Sequence, residues 1–96
     1  MGQVMTLLDA VRSVRAFDRQ STIYAAVPWT LDSRAVVGCE TESGGVPPEA
    51  ESFGLTYFVE VSVACEFLES WENGRHSKPT DEEKCERMIQ YAVNDA

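Results

Sequence analysis

A single histidine, His76, and three cysteines, Cys39, Cys65 and Cys85, set the reach of nucleophilic or transition-metal chemistry in this chain. A Cys–His or Ser–His–Asp mechanism must use His76, which lies in the polar stretch Gly74-Arg75-His76-Ser77-Lys78. No local signature accompanies any of the cysteines. They are odd in number, far apart and without a CxxC pair, so they fit neither a disulfide framework nor a zinc cage. Small buried side chains are the reading their surroundings favour. Carboxylates are abundant instead: Glu40, Glu42, Glu49 and Glu51 in one stretch, and Glu66, Glu69 and Glu72 in another. They lack the Asp-x-Asp spacing of a calcium loop and a His-plus-carboxylate set, so the pattern calls for no metal. Gly44-Gly45 precedes Val46-Pro47-Pro48 rather than Lys-Ser/Thr and a helix, and the nucleotide-binding fingerprints fail with it. No catalytic residue and no cofactor are assigned.

What remains is a contact surface. In Pro28-Trp29-Thr30-Leu31-Asp32-Ser33-Arg34 a tryptophan, an acid and an arginine sit together between two β-rich segments. Trp29, Asp32 and Arg34 are candidate interaction residues because Trp and Arg often dominate interface energetics and a hairpin presents them at low entropic cost. The competing reading folds Trp29 back on the core and leaves Asp32 to cap the turn. Glu66 and Glu69 join the set as acids opposite the Phe67, Leu68 and Trp71 stripe, a position that also describes an ordinary solvated face.

The elements that must position these residues follow from hydrophobic rhythm. Val4, Leu7, Leu8, Val11 and Val14 recur at three- and four-residue steps and predict a helix ending near Phe17, with Thr6 and Asp9 as a weak capping box. Thr22–Val27 and Arg34–Glu40 are rich in β-branched residues and predict a hairpin, and residues 41–54 a long loop. Leu55, Tyr57, Val59 and Val61 alternate with Thr56, Phe58, Glu60 and Ser62, predicting a third strand with one set on each face. A helix starting at Val63, capped by Ser62 and closed near Gly74, comes next; one continuous helix over residues 57–73 is the alternative. Thr80-Asp81-Glu82-Glu83 is a capping box for a last helix with Cys85, Met88, Ile89, Ala92 and Val93 inward and a Glu83–Arg87 pair outside. The expected fold is α+β, a small three-stranded antiparallel sheet with three helices packed on one face, in the order α-β-β-β-α-α, as a single domain over residues 1–96.

Totals narrow the partner. Residues 1–39 hold four arginines against three aspartates, whereas residues 40–96 hold thirteen acids against four bases, for a net charge of −8. That field disfavours nucleic acid and anionic membrane and favours basic proteins. No segment has the length of a membrane span, Asp9 and Arg12 interrupt the early apolar run, and the cysteine usage suits a reducing compartment, so a cytoplasmic location is expected. The strings Thr22–Trp29, Asp32–Val37, Tyr57–Val61 and Tyr91–Ala96 resemble a family of small uncharacterised bacterial proteins. The resemblance implies a bacterial cytoplasmic origin and carries over no functional residue.

Three functions compete at this level. The first is a non-catalytic acidic interaction module, immunity-like or a regulatory inhibitor, with a basic protein partner. The second is a small-ligand or minor enzymatic domain with a pocket bordered by Tyr24, Trp29, Tyr57, Glu60 and His76. The third is a homodimer formed through an exposed strand edge.

Overall fold

The computed structural model describes residues 4–38, 48–74 and 78–95. The fold is α+β, built on a four-stranded antiparallel sheet rather than the three strands expected. In chain order the elements are β1 (Met5–Thr6), α1 (Leu7–Arg12), a 3₁₀ turn (Val14–Ala16), β2 (Thr22–Ala25), β3 (Arg34–Gly38), α2 (Pro48–Glu51), β4 (Thr56–Glu60), α3 (Val61–Asn73) and α4 (Asp81–Asp95). Spatially the strands run β1-β3-β2-β4, which leaves β4 at one edge.

The long first helix expected over Val4–Phe17 is split into three pieces. Met5 and Thr6 pair with Ala35 and Arg34 as the added strand. Thr6 then caps α1, its Oγ1 accepting the Asp9 N–H at 3.1 Å, as the sequence suggested. Two further N–H groups of that first turn find carbonyls outside the helix, Leu7 on Ser33 at 2.7 Å and Leu8 on Leu31 at 3.0 Å. Docking on the β2–β3 connection therefore satisfies donors that every helix start leaves open. Past Ser13 the chain tightens into the 3₁₀ turn, with Val14 still buried. A 3₁₀ helix repeats every three residues, so the Val11-to-Val14 step serves both helix types and hides the change from a periodicity argument.

The hairpin is observed. β2 pairs with β3 from Thr22 opposite Gly38 to Ala25 opposite Ala35, and the Val27–Pro28 peptide in its connection is cis. β4 runs antiparallel on the other side of β2, but its register slips between Ile23 and Tyr24: Ile23 faces Val59 and Tyr24 faces Tyr57, leaving Phe58 as the extra residue of a bulge. The strict alternation expected over Leu55–Ser62 fails at this point. Phe58 and Val59, neighbours in sequence, both enter the main core, whereas Tyr57 stays half exposed.

Strand passes into helix without a loop, two residues earlier than expected. Glu60 rather than Ser62 is the N-cap of α3, and it makes no side-chain cap bond. The first donors are met by carbonyls of the preceding connection instead, Val61 N–H on Ser21 at 2.9 Å and Ser62 N–H on Arg19 at 3.2 Å. α4 opens with the full capping box: Thr80 N–H donates to Glu83 Oε1 at 2.9 Å and Glu83 N–H to Thr80 Oγ1 at 3.1 Å. Its inward stripe is Cys85, Met88 and Ala92 with Ile89 half buried, while Val93, placed inside by periodicity, is 59% exposed. Arg87 lies over the Phe67 ring at 5.3 Å, with Gln90 as its hydrogen-bond acceptor at 3.3 Å.

Helices cover both faces of the sheet, not one. Ile23, Ala25, Ala35, Phe58 and Val59 form the larger core with α1, α3 and α4. On the reverse face Tyr24 and Val36 pack with Ala50 and Leu55. The expected long loop thus contains α2, a single turn that ends in a Schellman motif: Leu55 N–H bonds Ala50 O at 3.0 Å, Gly54 N–H bonds Glu51 O at 3.0 Å, and Gly54 takes φ +70°. Leu55 then packs on Ala50, the apolar contact that accompanies this cap.

Candidate functional site

The hairpin tip is organised by Ser33, one of the two residues, with Asp32, whose type suits a turn here. Its nearly buried hydroxyl accepts the Thr30 N–H at 2.8 Å and donates to Pro28 O at 3.2 Å, while its own N–H closes a turn on Thr30 O at 3.1 Å. Asp32 is exposed. With the loop held in this way, Trp29 folds back: its indole Nε1–H donates to Ala25 O at 3.3 Å, and its ring meets Phe58 edge-on, centroids 4.9 Å apart. Arg34 belongs to the opposite face. It alternates with core-facing Ala35, shares a side with Val36, and carries its guanidinium over Phe53 at 5.2 Å. Trp29 and Arg34, five residues apart in the sequence, therefore lie on opposite faces of the sheet.

Glu66 and Glu69 are exposed on α3. Glu66 faces Arg19 at 3.7 Å, and both side chains are largely in water. Glu72, from the same acidic series, occupies a different position. Four-fifths buried, it lies 3.3 Å from Lys84 and 3.7 Å from Arg15, tying α3 to α4 and to the 3₁₀ turn. Arg12 continues the network with Asp81 of α4 at 3.4 Å and Asp9 at 3.5 Å. These pairs border a cleft of about 300 Å³ between α1, α3 and α4 in which every charged lining group has an opposite partner.

Cys65 and Cys85 are buried and unpaired with each other. The Cys65 thiol approaches Val14 O at 3.9 Å. Burial, with a smaller contribution from Glu86, pushes the Cys85 thiol up to about 12, far from the thiolate a nucleophile needs. Cys39, Glu40, Glu42, His76 and the Glu49 side chain lie outside the described residues. Among the described residues, no three His, Cys, Asp or Glu side chains gather closely enough to hold a metal ion, and no helix is long and apolar enough to cross a membrane.

The arrangement with a distinct chemical character is a second cleft, about 280 Å³, at the β4 edge. Trp29, Tyr57, Phe58, Val59, Glu60, Val63, Tyr91 and Ala92 line it. Each element delivers its residue for a stated reason. The hairpin serine turns Trp29 inward, the bulge places Phe58 beneath it, and the direct β4–α3 junction brings Glu60 and Val63 into the same lining. α4 contributes Tyr91, whose ring stacks on Phe67 with centroids 4.5 Å apart. Of the pocket residues named from sequence, Trp29, Tyr57 and Glu60 are brought together, and Tyr24 is buried on the far side of the sheet. Phe58, Val63 and Tyr91 were missed: periodicity makes Val63 a core position of its helix, sets Phe58 on the strand face opposite Tyr57 and leaves Tyr91 outside the inward stripe of the last helix. Comparison with known proteins finds no matching family model, curated protein or solved structure.

Proposed function

We propose that this protein is a non-catalytic interaction module whose cleft at the β4 edge receives part of a basic protein partner. One observation carries the reading: Trp29, Phe58 and Tyr91 line a cleft along the β4 edge whose lining also includes Tyr57 and Glu60 and, among the described residues, no basic residue. Aromatic side chains on a rigid frame are the usual anchors of protein interfaces, and an acid at the rim selects positive partners. The net charge of −8 adds a long-range attraction for such partners, so association should weaken as salt is raised. β4 is an edge strand, which gives an extended partner segment backbone groups to pair with beside the cleft.

The reading is tested by selecting from a displayed library of random peptides against the full chain at low salt. Enrichment of sequences that combine Lys or Arg with an apolar residue, lost on Tyr57→Ala and retained on Asp32→Ala, supports it. Enrichment of acidic sequences, or the same sequences recovered by both variants, refutes it. A second copy of the chain competes for the same edge strand, and a homodimer at micromolar concentration in light scattering, dispersed by Tyr57→Ala, would replace a foreign partner with that copy.

A further inference from the structure

Resting on that assignment of the β4 edge, we infer that the partner enters as an extended segment that adds an antiparallel strand to β4, with Lys or Arg at alternate positions and an apolar residue between them. Hydrogen-bond parity decides which backbone positions the edge presents. Ala26 N–H bonds Arg34 O at 2.9 Å on the β3 side, whereas Ser21 O accepts Val61 N–H at 2.9 Å and Ala25 O accepts the Thr56 hydroxyl at 3.2 Å on the β4 side. Even-numbered residues of β2 therefore serve β3 and odd-numbered ones serve β4, the alternation of an antiparallel sheet. In the β2–β4 register Val59 and Thr56 stand opposite Ile23 and Ala25, while Glu60 and Tyr57 stand opposite Thr22 and Tyr24. The backbone groups of Tyr57 and Glu60 are consequently the ones that turn away from β2, on the last strand of the sheet. Thr22 and Tyr24 are two residues apart, so the bulge at Phe58 leaves these outward positions at the spacing of a regular strand.

The same register fixes what the added strand carries. Residues directly opposite one another share a sheet face, so side chains opposite Tyr57 and Glu60 lie with them on the reverse face. Glu60 is exposed, and Tyr57 is 48% exposed. A Lys or Arg opposite Glu60 makes a cross-strand pair of opposite charge, and one opposite Tyr57 lies against an aromatic ring. An acid opposite Glu60 would instead set two carboxylates side by side. A second copy of this chain brings its own net charge of −8 to the edge, which opposes it as the occupant. The residue between the two basic positions points the other way, to the face on which Trp29 and Phe58 meet edge-on and Val63 and Tyr91 complete the cleft lining. An apolar side chain suits that wall.

The experiment titrates the full chain with the acetylated, amidated peptides Lys-Val-Lys-Val-Lys, Glu-Val-Glu-Val-Glu and Lys-Lys-Lys-Val-Val, at an ionic strength that screens the net charge. Backbone amide shifts and hydrogen exchange over residues 56–60 are read together with Trp29 emission in a Trp71→Phe background. The alternating lysine peptide should bind about fivefold more tightly than either of the others, slow exchange of the Glu60 amide and shift Trp29 emission. An antiparallel partner bonds β4 through the residues opposite Tyr57 and Glu60. N-methylation of the peptide's lysines should therefore abolish binding, and N-methylation of its valines should change it by less than about twofold. Glu60 is an exposed cap without a side-chain cap bond, so Glu60→Lys should keep the melting curve, weaken the lysine peptide several-fold and strengthen the glutamate peptide. Equal affinity of the alternating and block peptides, the same response to both methylation patterns, or loss on methylating valine alone overturns the inference. Displayed peptides that combine Lys or Arg with an apolar residue but lack the alternation also overturn it, while the interaction module stands. Alternation among displayed peptides that depend on Tyr57 supports both. A chain that binds neither displayed nor synthetic peptides loses both.

Discussion

Replacing Ser33 by alanine tests how the cleft is built. Ser33 is only 9% exposed, and its hydroxyl makes three hydrogen bonds, accepting from Thr30 N–H at 2.8 Å, donating to Pro28 O at 3.2 Å and meeting Thr30 Oγ1 at 3.4 Å. Deleting it removes them and strands the Pro28 carbonyl and the Thr30 amide. Each such bond contributes about 1 kcal/mol net, and a buried group left unmade costs about 1–3 kcal/mol. Thr30 is exposed, so water recovers part of the amide's loss. The expected cost of Ser33→Ala is therefore about 1–2 kcal/mol. For a domain of this size, each kcal/mol lowers Tm by about 4–8 °C. Thermal and urea unfolding followed by circular dichroism measure the loss, and Trp29 emission in the Trp71→Phe background reports whether the indole leaves Phe58 and moves toward water. Asp32→Ala is the matched control, exposed in the same loop, and should stay within about 0.5 kcal/mol of wild type. Equal effects of the two substitutions, or a neutral Ser33→Ala with unchanged emission, would refute the assignment of the loop's rigidity to Ser33.

Three other outcomes follow from the packing. Glu72→Gln should cost about 1 kcal/mol in urea midpoint and become less costly in high salt, whereas Glu66→Gln should be neutral, because the Glu72 pair with Lys84 is four-fifths buried and the Glu66 pair with Arg19 is in water. Gly54→Ala should cost about 1 kcal/mol by equilibrium unfolding, since nothing lies within 4 Å of an added Cβ and the φ of +70° alone opposes it. Cys85 links stability to alkaline pH: its thiol is raised from 9.0 to about 12, so the unfolded chain releases that proton first. Below pH 9 the shift costs nothing, and between pH 9 and 12 it removes up to about 1.4 kcal/mol of stability per pH unit. Urea midpoints at pH 8 and 10 should therefore fall more for wild type than for Cys85→Ala, and parallel falls would refute the assignment.

Some of this protein is legible without coordinates. The Thr80 capping box, the Thr6 cap, the hairpin of β2 and β3 and the α+β class depend on residues within a few positions of one another, and local chemistry decides them. Tertiary contacts decided the rest. β1 exists because β3 offers partners to Met5 and Thr6, and α3 starts at Val61 because Ser21 and Arg19 carbonyls accept its first donors. The cleft follows the same rule. A one-residue bulge at Phe58, a register between strands more than thirty residues apart, brings Phe58 under Trp29, and a helix from the chain's end adds Tyr91. Hydrophobic spacing records that a side chain is inward; which distant side chain it meets there is set by register and packing, and these are properties of the whole fold.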